Sequence, residues 1–218
     1  MMKTPLITAL LLAVSMGASL GASPAHANPL TEALTAYDEG DMKAAARGFT
    51  ASATKGDALG QFNLAMMHLR KELPGASDAQ AWRLLQRAAG QQLALAENAL
   101  GEMIEQGRRG KPDPKAACGW FERAAEHGNA DGALATATCY YLGRGRAQDM
   151  AQAHRWYLEA AKAGDVGAQY LVASMFETGL GVEADDRLAR YWYDAAARNG
   201  DDAARVKLKA MQAADAAT

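Results

Sequence analysis

Ser52-Ala53-Thr54-Lys55 comes nearest to a catalytic pattern in this chain. The spacing S-x-x-K sets a hydroxyl one helical turn from an amine that can take its proton, the opening step of acyl transfer on β-lactams. The surroundings do not fit that chemistry. Such a serine has to open a helix in a deep pocket, whereas Ser52 falls near the end of a helical segment, where sister segments carry alanine, and no S-D-N or K-T-G follows. Gly143-x-Gly145 and Gly179-x-Gly181 have the look of phosphate cradles, but they lack a third glycine and a preceding strand. His68, His127 and His154 have no second ligand at i+3 or i+4, so zinc is not expected, and His68 and His154 read as ordinary surface or groove residues. No Ser/His/Asp or paired-carboxylate set stands out. The expectation is a non-enzyme with no catalytic residue, no metal and no cofactor.

What positions these residues is a repeat. Trp156-Tyr157-Leu158-Glu159-Ala160-Ala161-Lys162-Ala163-Gly164 recurs 36 residues earlier as Trp120-Phe121-Glu122-Arg123-Ala124-Ala125-Glu126-His127-Gly128 and 36 later as Trp192-Tyr193-Asp194-Ala195-Ala196-Ala197-Arg198-Asn199-Gly200. Two further steps back reach Leu84-Leu85-Gln86-Arg87-Ala88-Ala89 and Gly48-Phe49-Thr50-Ala51-Ser52-Ala53. A fixed period of this size means stacked helical hairpins, each with a helix A and a helix B. In the fourth unit helix A covers residues 130–142, Gly143-Arg144-Gly145 breaks it, Asp149 opens helix B, and Gly128 and Gly164 close the B helices on either side. Asp41, Asp113, Asp149 and Asp185 share the opening slot, where a carboxylate accepts bonds from free N–H groups; Ser77 stands there in the second unit, another good cap.

Four residues on, Ala45, Ala81, Ala117, Ala153 and Ala189 mark a place where two helices approach too closely for a larger side chain. Phe49, Leu85, Phe121, Tyr157 and Tyr193 fill the space beside them, and Met67, Met103, Cys139, Met175 and Met211 supply the complementary apolar slot of helix A. Cys118 and Cys139 lie symmetrically about the turn between helix B of unit three and helix A of unit four. In an antiparallel hairpin that puts both at the same height, roughly 15 Å from the turn, and predicts a disulfide; the alternative is two unpaired core thiols. Arg108, Arg109, Lys111, Arg144 and Arg146 fall in two adjacent A-to-B loops. They read either as solvated loops or as a basic edge for an acidic partner or an anionic polymer.

The pattern A-x-x-L-x-x-x-Y-x-x-G-x-G-x-x-x-D followed by A-x-x-W-Y-x-x-A-A-x-x-G resembles the Sel-one-like repeat, a relative of the tetratricopeptide repeat. It is best kept from Ala168 through Gly179-Leu180-Gly181 to Trp192 and Gly200, and it extends over about residues 30–214. Departures fall at the N-terminal end: Gly48 stands in the Trp slot, Trp82 is displaced by two residues, and Gln92 replaces a glycine. The resemblance implies an all-α, right-handed α/α superhelical solenoid of about five helix-turn-helix repeats, with residues 203–211 as a C-terminal capping helix. It also implies protein–protein contacts, often in bacterial envelope or signalling assemblies. Some cysteine-rich members are described as β-lactamases, which keeps a β-lactamase-like or cell-wall hydrolase as an alternative.

In superhelices of this kind the A helices line the concave side. The core stripe Ala168, Val172 and Met175 leaves Tyr170, Ser174 and Thr178 on another face. The matching rows are Phe62, Met66 and Arg70, then Asn98, Glu102 and Gln106, then Leu134, Thr138 and Leu142. These positions vary while the core slots do not, so they are expected to be free of packing and to form a partner groove.

Residues 1–27 read as a secretory signal: Lys3 supplies the positive region, Leu6 to Leu20 is mostly apolar, and Ala25-His26-Ala27 is a small-x-small cleavage site. Residues 28–218 are then the mature solenoid, periplasmic or secreted. Ser15, Gly17 and Ser19 interrupt the apolar run, which argues against a membrane anchor. Losing Lys3 turns the formal net charge of −2 into −3, too small for a nucleic-acid-binding field. The function expected is an exported interaction scaffold with a protein partner; the alternatives are the hydrolase and an anionic polymer or surface-binding module.

Overall fold

The computed structural model describes residues 28–216, so the leader expectation lies outside it. Within that span there are helices and no strand. The A helices are α1 (Pro29–Asp38), α3 (Ala58–Leu69), α5 (Ala94–Glu105), α7 (Ala130–Leu142), α9 (Val166–Thr178) and α11 (Asp202–Ala216). The B helices are α2 (Met42–Thr54), α4 (Asp78–Ala89), α6 (Pro114–Glu126), α8 (Met150–Lys162) and α10 (Asp186–Arg198). Each helix packs on the next in sequence, and α5 also reaches α7, the next A helix along. The result is an all-α superhelical repeat of five hairpins closed by α11.

Local chemistry sets the hairpin ends. Asp41, Asp113, Asp149 and Asp185 each accept a backbone N–H from the first turn of their B helix. Ser77 is a correction. It sits at the cap position of α4 but makes no side-chain capping bond. The Gln80 N–H that its hydroxyl would take is already bonded to the Ser77 carbonyl at 3.1 Å.

The residue that closes helix B has a positive φ at Gly56, Gly128, Gly164 and Gly200, and so does its counterpart Gln92, at 62°. A side chain in that conformation meets its own backbone, so unit two carries a strain that glycine relieves elsewhere. The second glycine of each G-x-G motif has another reason to be small. A Cβ on Gly145 would run into the Pro114 carbonyl at the start of α6, and one on Gly181 into that of Met150 at the start of α8. The loop of one unit is thus seated on the helix-B start of the unit before.

Ala45, Ala81, Ala117, Ala153 and Ala189 are all at most 1% exposed, and the large residues one turn on (Phe49, Leu85, Phe121, Tyr157, Tyr193) are buried beside them. The buried apolar residues form a row of clusters along the solenoid. The smallest holds Ala117, Cys118, Phe121 and Cys139 at the α6–α7 joint, where Cys118 and Cys139 are joined by a disulfide with their Cα atoms 6.2 Å apart.

Two substitutions check this account. Ala153→Leu overpacks a closed contact and should destabilise by about 1–3 kcal/mol in a denaturant melt. Gln92→Gly should do the opposite and raise the unfolding midpoint, by about 0.5–1 kcal/mol, because relief of the left-handed strain outweighs the added freedom of the unfolded chain. A lower midpoint for Gln92→Gly would contradict the strain.

Candidate functional site

The row expected to be free of packing divides in two. Phe62 and Met66 are buried in the cluster with Leu85 and Leu100, and Asn98 is 6% exposed. These are corrections to the groove expectation at its N-terminal end. There α3 and α5 carry bulkier apolar residues, and the row itself is drawn into the core. The C-terminal half differs. Leu134, Thr138, Tyr170 and Ser174 are half-buried, and Leu142 and Thr178 are exposed. Val206, the next step of the row on α11, is 68% exposed.

Polar bonds fix the walls of this open half. The Tyr157 and Thr138 hydroxyls approach to 3.3 Å, and the Tyr170 ring lies edge-on to Tyr193 with centroids 5.3 Å apart. The Tyr193 hydroxyl donates to Glu177 at 2.5 Å, and Lys207 donates to the same carboxylate at 2.9 Å. Burial and the Glu177 carboxylate hold the Tyr193 phenol well above its usual range, while the Tyr193 hydroxyl and Lys207 hold Glu177 below its own. The surface therefore offers aromatic, apolar and hydroxyl groups on a rigid frame.

Glu102 lies at the buried end of the row. It accepts from the Asn98 amide at 2.8 Å, and burial, reinforced by Asp131 and Glu105, pushes its carboxyl up to about 7. Asn98 Oδ1 has no partner.

The five cations of the predicted basic edge do not form an open field. Arg108 donates to Asp78 at 3.1 Å and to the Leu69 carbonyl, Arg109 lies over the Trp82 ring, and Arg144 pairs with Glu105 at 3.2 Å. Arg146 places both terminal nitrogens on Glu122 at 3.1 Å and lies over the Tyr140 ring. Lys111 is exposed. These arginines bind one unit to another, which a reading of loop charge alone could not foresee.

The histidines also need correction. His68 and His154 are each 8% exposed rather than on a surface or in a groove, and burial lowers both below the usual histidine range. The His154 ring sits edge-on to Phe176, with centroids 4.9 Å apart. His127 lies 2.6 Å from the fully buried Glu97, which also accepts from Arg123 at 2.9 Å.

That last trio escaped the sequence reading, although the repeat held its signal. Glu97 shares its slot with Gln61 and Gln169, and His127 shares its slot with Gln91 and Asn199. Gln91 donates to Gln61 at 3.1 Å and Asn199 to Gln169 at 3.0 Å, so one buried polar link recurs with three chemistries. Ser52 of the S-x-x-K pattern donates its hydroxyl to Asp57, the cap of α3. Among the described residues no group of three His, Cys, Asp or Glu is placed to hold a metal ion.

Comparison with known proteins agrees with this architecture. The Sel1 repeat matches residues 58–92, 94–129, 130–165 and 166–201, leaving the α1–α2 hairpin outside. A Sel1 repeat protein from Oxalobacter formigenes is 32% identical with a TM-score of 0.71, over 81% of this chain and 75% of that one. A protective antigen of uropathogenic Escherichia coli with the same repeat fold is 29% identical with a TM-score of 0.76. That match takes in 84% of this chain, which spans only 40% of the antigen's length. Among curated proteins nothing matches.

The Glu102 carboxyl gives a test with a defined sign. Its folded value of about 7 lies above the unfolded 4.5, so its environment favours folding at low pH and is increasingly destabilising as pH rises from 4.5 through 7. Glu102→Gln should therefore be more stable than the parent at pH 8, by about 1–3 kcal/mol, and nearly equal to it at pH 4. Thermal melts showing the same difference at both pH values would place Glu102 in water instead.

Proposed function

This chain belongs to the Sel1 repeat family, whose members generally mediate protein–protein contacts, and we propose that it is an exported scaffold that grips a protein segment along the open half of its A-helix face. The observation that carries this reading is the change of character along one repeat row. The row closes into the core at Phe62 and Met66, then opens at Leu134, Thr138, Tyr170 and Ser174 and ends at exposed Val206. Rigid aromatics beside apolar and hydroxyl groups suit an extended peptide or a partner helix, because they give contact area with little entropy left to lose.

Three features support an envelope or extracellular setting. The leader pattern of residues 1–27 is one. The Cys118–Cys139 disulfide, a bond that persists in oxidising compartments, is another. Likeness to a protective antigen is the third. No helix among the described residues is long and apolar enough to cross a membrane. The pairing of Arg108, Arg144 and Arg146 with carboxylates disfavours an anionic polymer as the partner. The family is typically non-enzymatic, and the engagement of Ser52 by Asp57 gives a hydrolase no nucleophile.

Photo-crosslinking in the producing cell tests this reading. A crosslinking residue at Tyr170 or Thr138 should give one discrete protein adduct, and one at Arg187, whose side chain is 93% exposed on α10, should give none. Tyr170→Ala with Leu134→Ala should then cut recovery of that adduct from Thr138 at least tenfold while leaving the helical signal unchanged. Equal adducts from Arg187, or adducts from Lys111 alone, would move the working surface off this face.

A further inference from the structure

The Asn98–Glu102 recess is the one place on the A-helix face where buried polar groups answer no need of the fold. The same two slots hold Phe62 and Met66, Leu134 and Thr138, and Tyr170 and Ser174 in units two, four and five, none of them a carboxylate. A packed repeat forms without a carboxylate here.

Four other buried or half-buried carboxylates are met by a cation of the chain itself. Glu97 has Arg123 and His127, Glu122 has Arg146, Glu177 has Lys207, and Asp78 has Lys71 and Arg108. Glu102 has only the Asn98 amide, while the charges acting on it, those of Asp131 and Glu105, are of its own sign. Arg144 from the neighbouring loop goes to Glu105 instead. Independently of these charges, Asn98 is 6% exposed and its Oδ1 is a buried acceptor without a donor. A buried acceptor without a donor and a carboxylate without a cation form half of a recognition site whose other half is a donor-rich cation.

We propose that this recess receives a lysine or arginine side chain of the protein partner, anchoring the segment that runs on over Thr138 and Tyr170. The inference rests on the scaffold reading above and gives its partner a chemical character: a segment with a cationic residue at one end and apolar residues beyond it. A guanidinium fits the recess better than an ammonium, since its planar fork can serve the carboxylate and an adjoining amide oxygen together. Asn98 rotates its amide as the cation enters and turns Oδ1 toward the recess. Because a carboxyl near 7 has to be ionised to hold the cation, binding releases a proton and tightens from pH 6 to pH 8.

The probe is N-acetyl-argininamide titrated into the mature chain, read by the NMR signals of the Asn98 side-chain amide, with the neutral isostere N-acetyl-citrullinamide as control. Saturable shifts with the arginine probe are expected, stronger at pH 8 than at pH 6, at least tenfold weaker with citrulline, and lost in Glu102→Gln, a variant that keeps the fold. No shift, an equal shift with citrulline, persistence in Glu102→Gln, or the same shift produced by calcium chloride would each overturn the proposal. The Tyr170 crosslink separates the two readings. If it survives in Glu102→Gln at full yield, the groove stands and the cation recess is refuted. If it is absent from the parent chain while the arginine shifts are present, the recess binds cations and the groove reading fails.

Discussion

The solenoid depends on how closely the helices of each hairpin can approach, and one alanine per unit sets that distance. Where Ala45, Ala81, Ala117, Ala153 and Ala189 close the contact, the aromatic or leucine one turn later has a fixed space to fill. The glycines of the G-x-G loops follow from the same constraint. Helices drawn this near leave room for a loop on the helix-B start of the unit before only if the loop residue has no Cβ. Spacing, loop seat and core slot are therefore one geometric condition expressed at three places.

A second, polar layer repeats on top of the apolar one. The slot of Gln61, Glu97 and Gln169 reaches toward Gln91, His127 and Asn199, each one position before the residue that closes its own helix B. In two units it also reaches back to the end of the preceding helix B, through the carbonyls of Ala53 and Ala161. Arg205 on α11 makes the corresponding bond to the Ala197 carbonyl, so the capping helix is attached by the device used inside the array. Unit four has Ala133 and Ala163 at these two positions and relies on apolar packing. That unit is also the one where the row of Leu134 and Thr138 becomes half-buried rather than closed into the core.

Periodicity made much of the fold legible. Aspartate caps, core alanines, aromatic slots and the final helix all repeat at one spacing, and repetition separates signal from local propensity. Features that break the repeat, or that depend on two distant units, were not legible. The failed cap at Ser77 depends on a carbonyl that already holds the Gln80 N–H. Burial of Phe62 and Met66 depends on the bulk of α5, a helix about 36 residues away along the chain. The pairing of the loop arginines joins residues up to 39 positions apart, as with Arg144 and Glu105, and no local window contains both partners. Glu97 and His127 show a signal present but unused: compared down the slot, the Gln, Glu, Gln series pointed to a buried polar contact.

The place of the disulfide has a mechanical meaning. A stack held by nearest neighbours peels from its ends, one hairpin at a time. The bond from Cys118 to Cys139 lies in the middle of the stack, across the joint with the smallest apolar cluster, and spans a sequence separation of 21 residues. Tension applied between the termini can draw out the outer hairpins but cannot lengthen the segment inside that loop, which withholds about 70 Å of extended chain. An array that would otherwise peel through its whole length becomes two springs tied at a knot. Leu134 and Thr138 lie inside that tied segment, so their part of the face keeps its place under load, while Tyr170 and Val206, in the outer hairpins, can be drawn out.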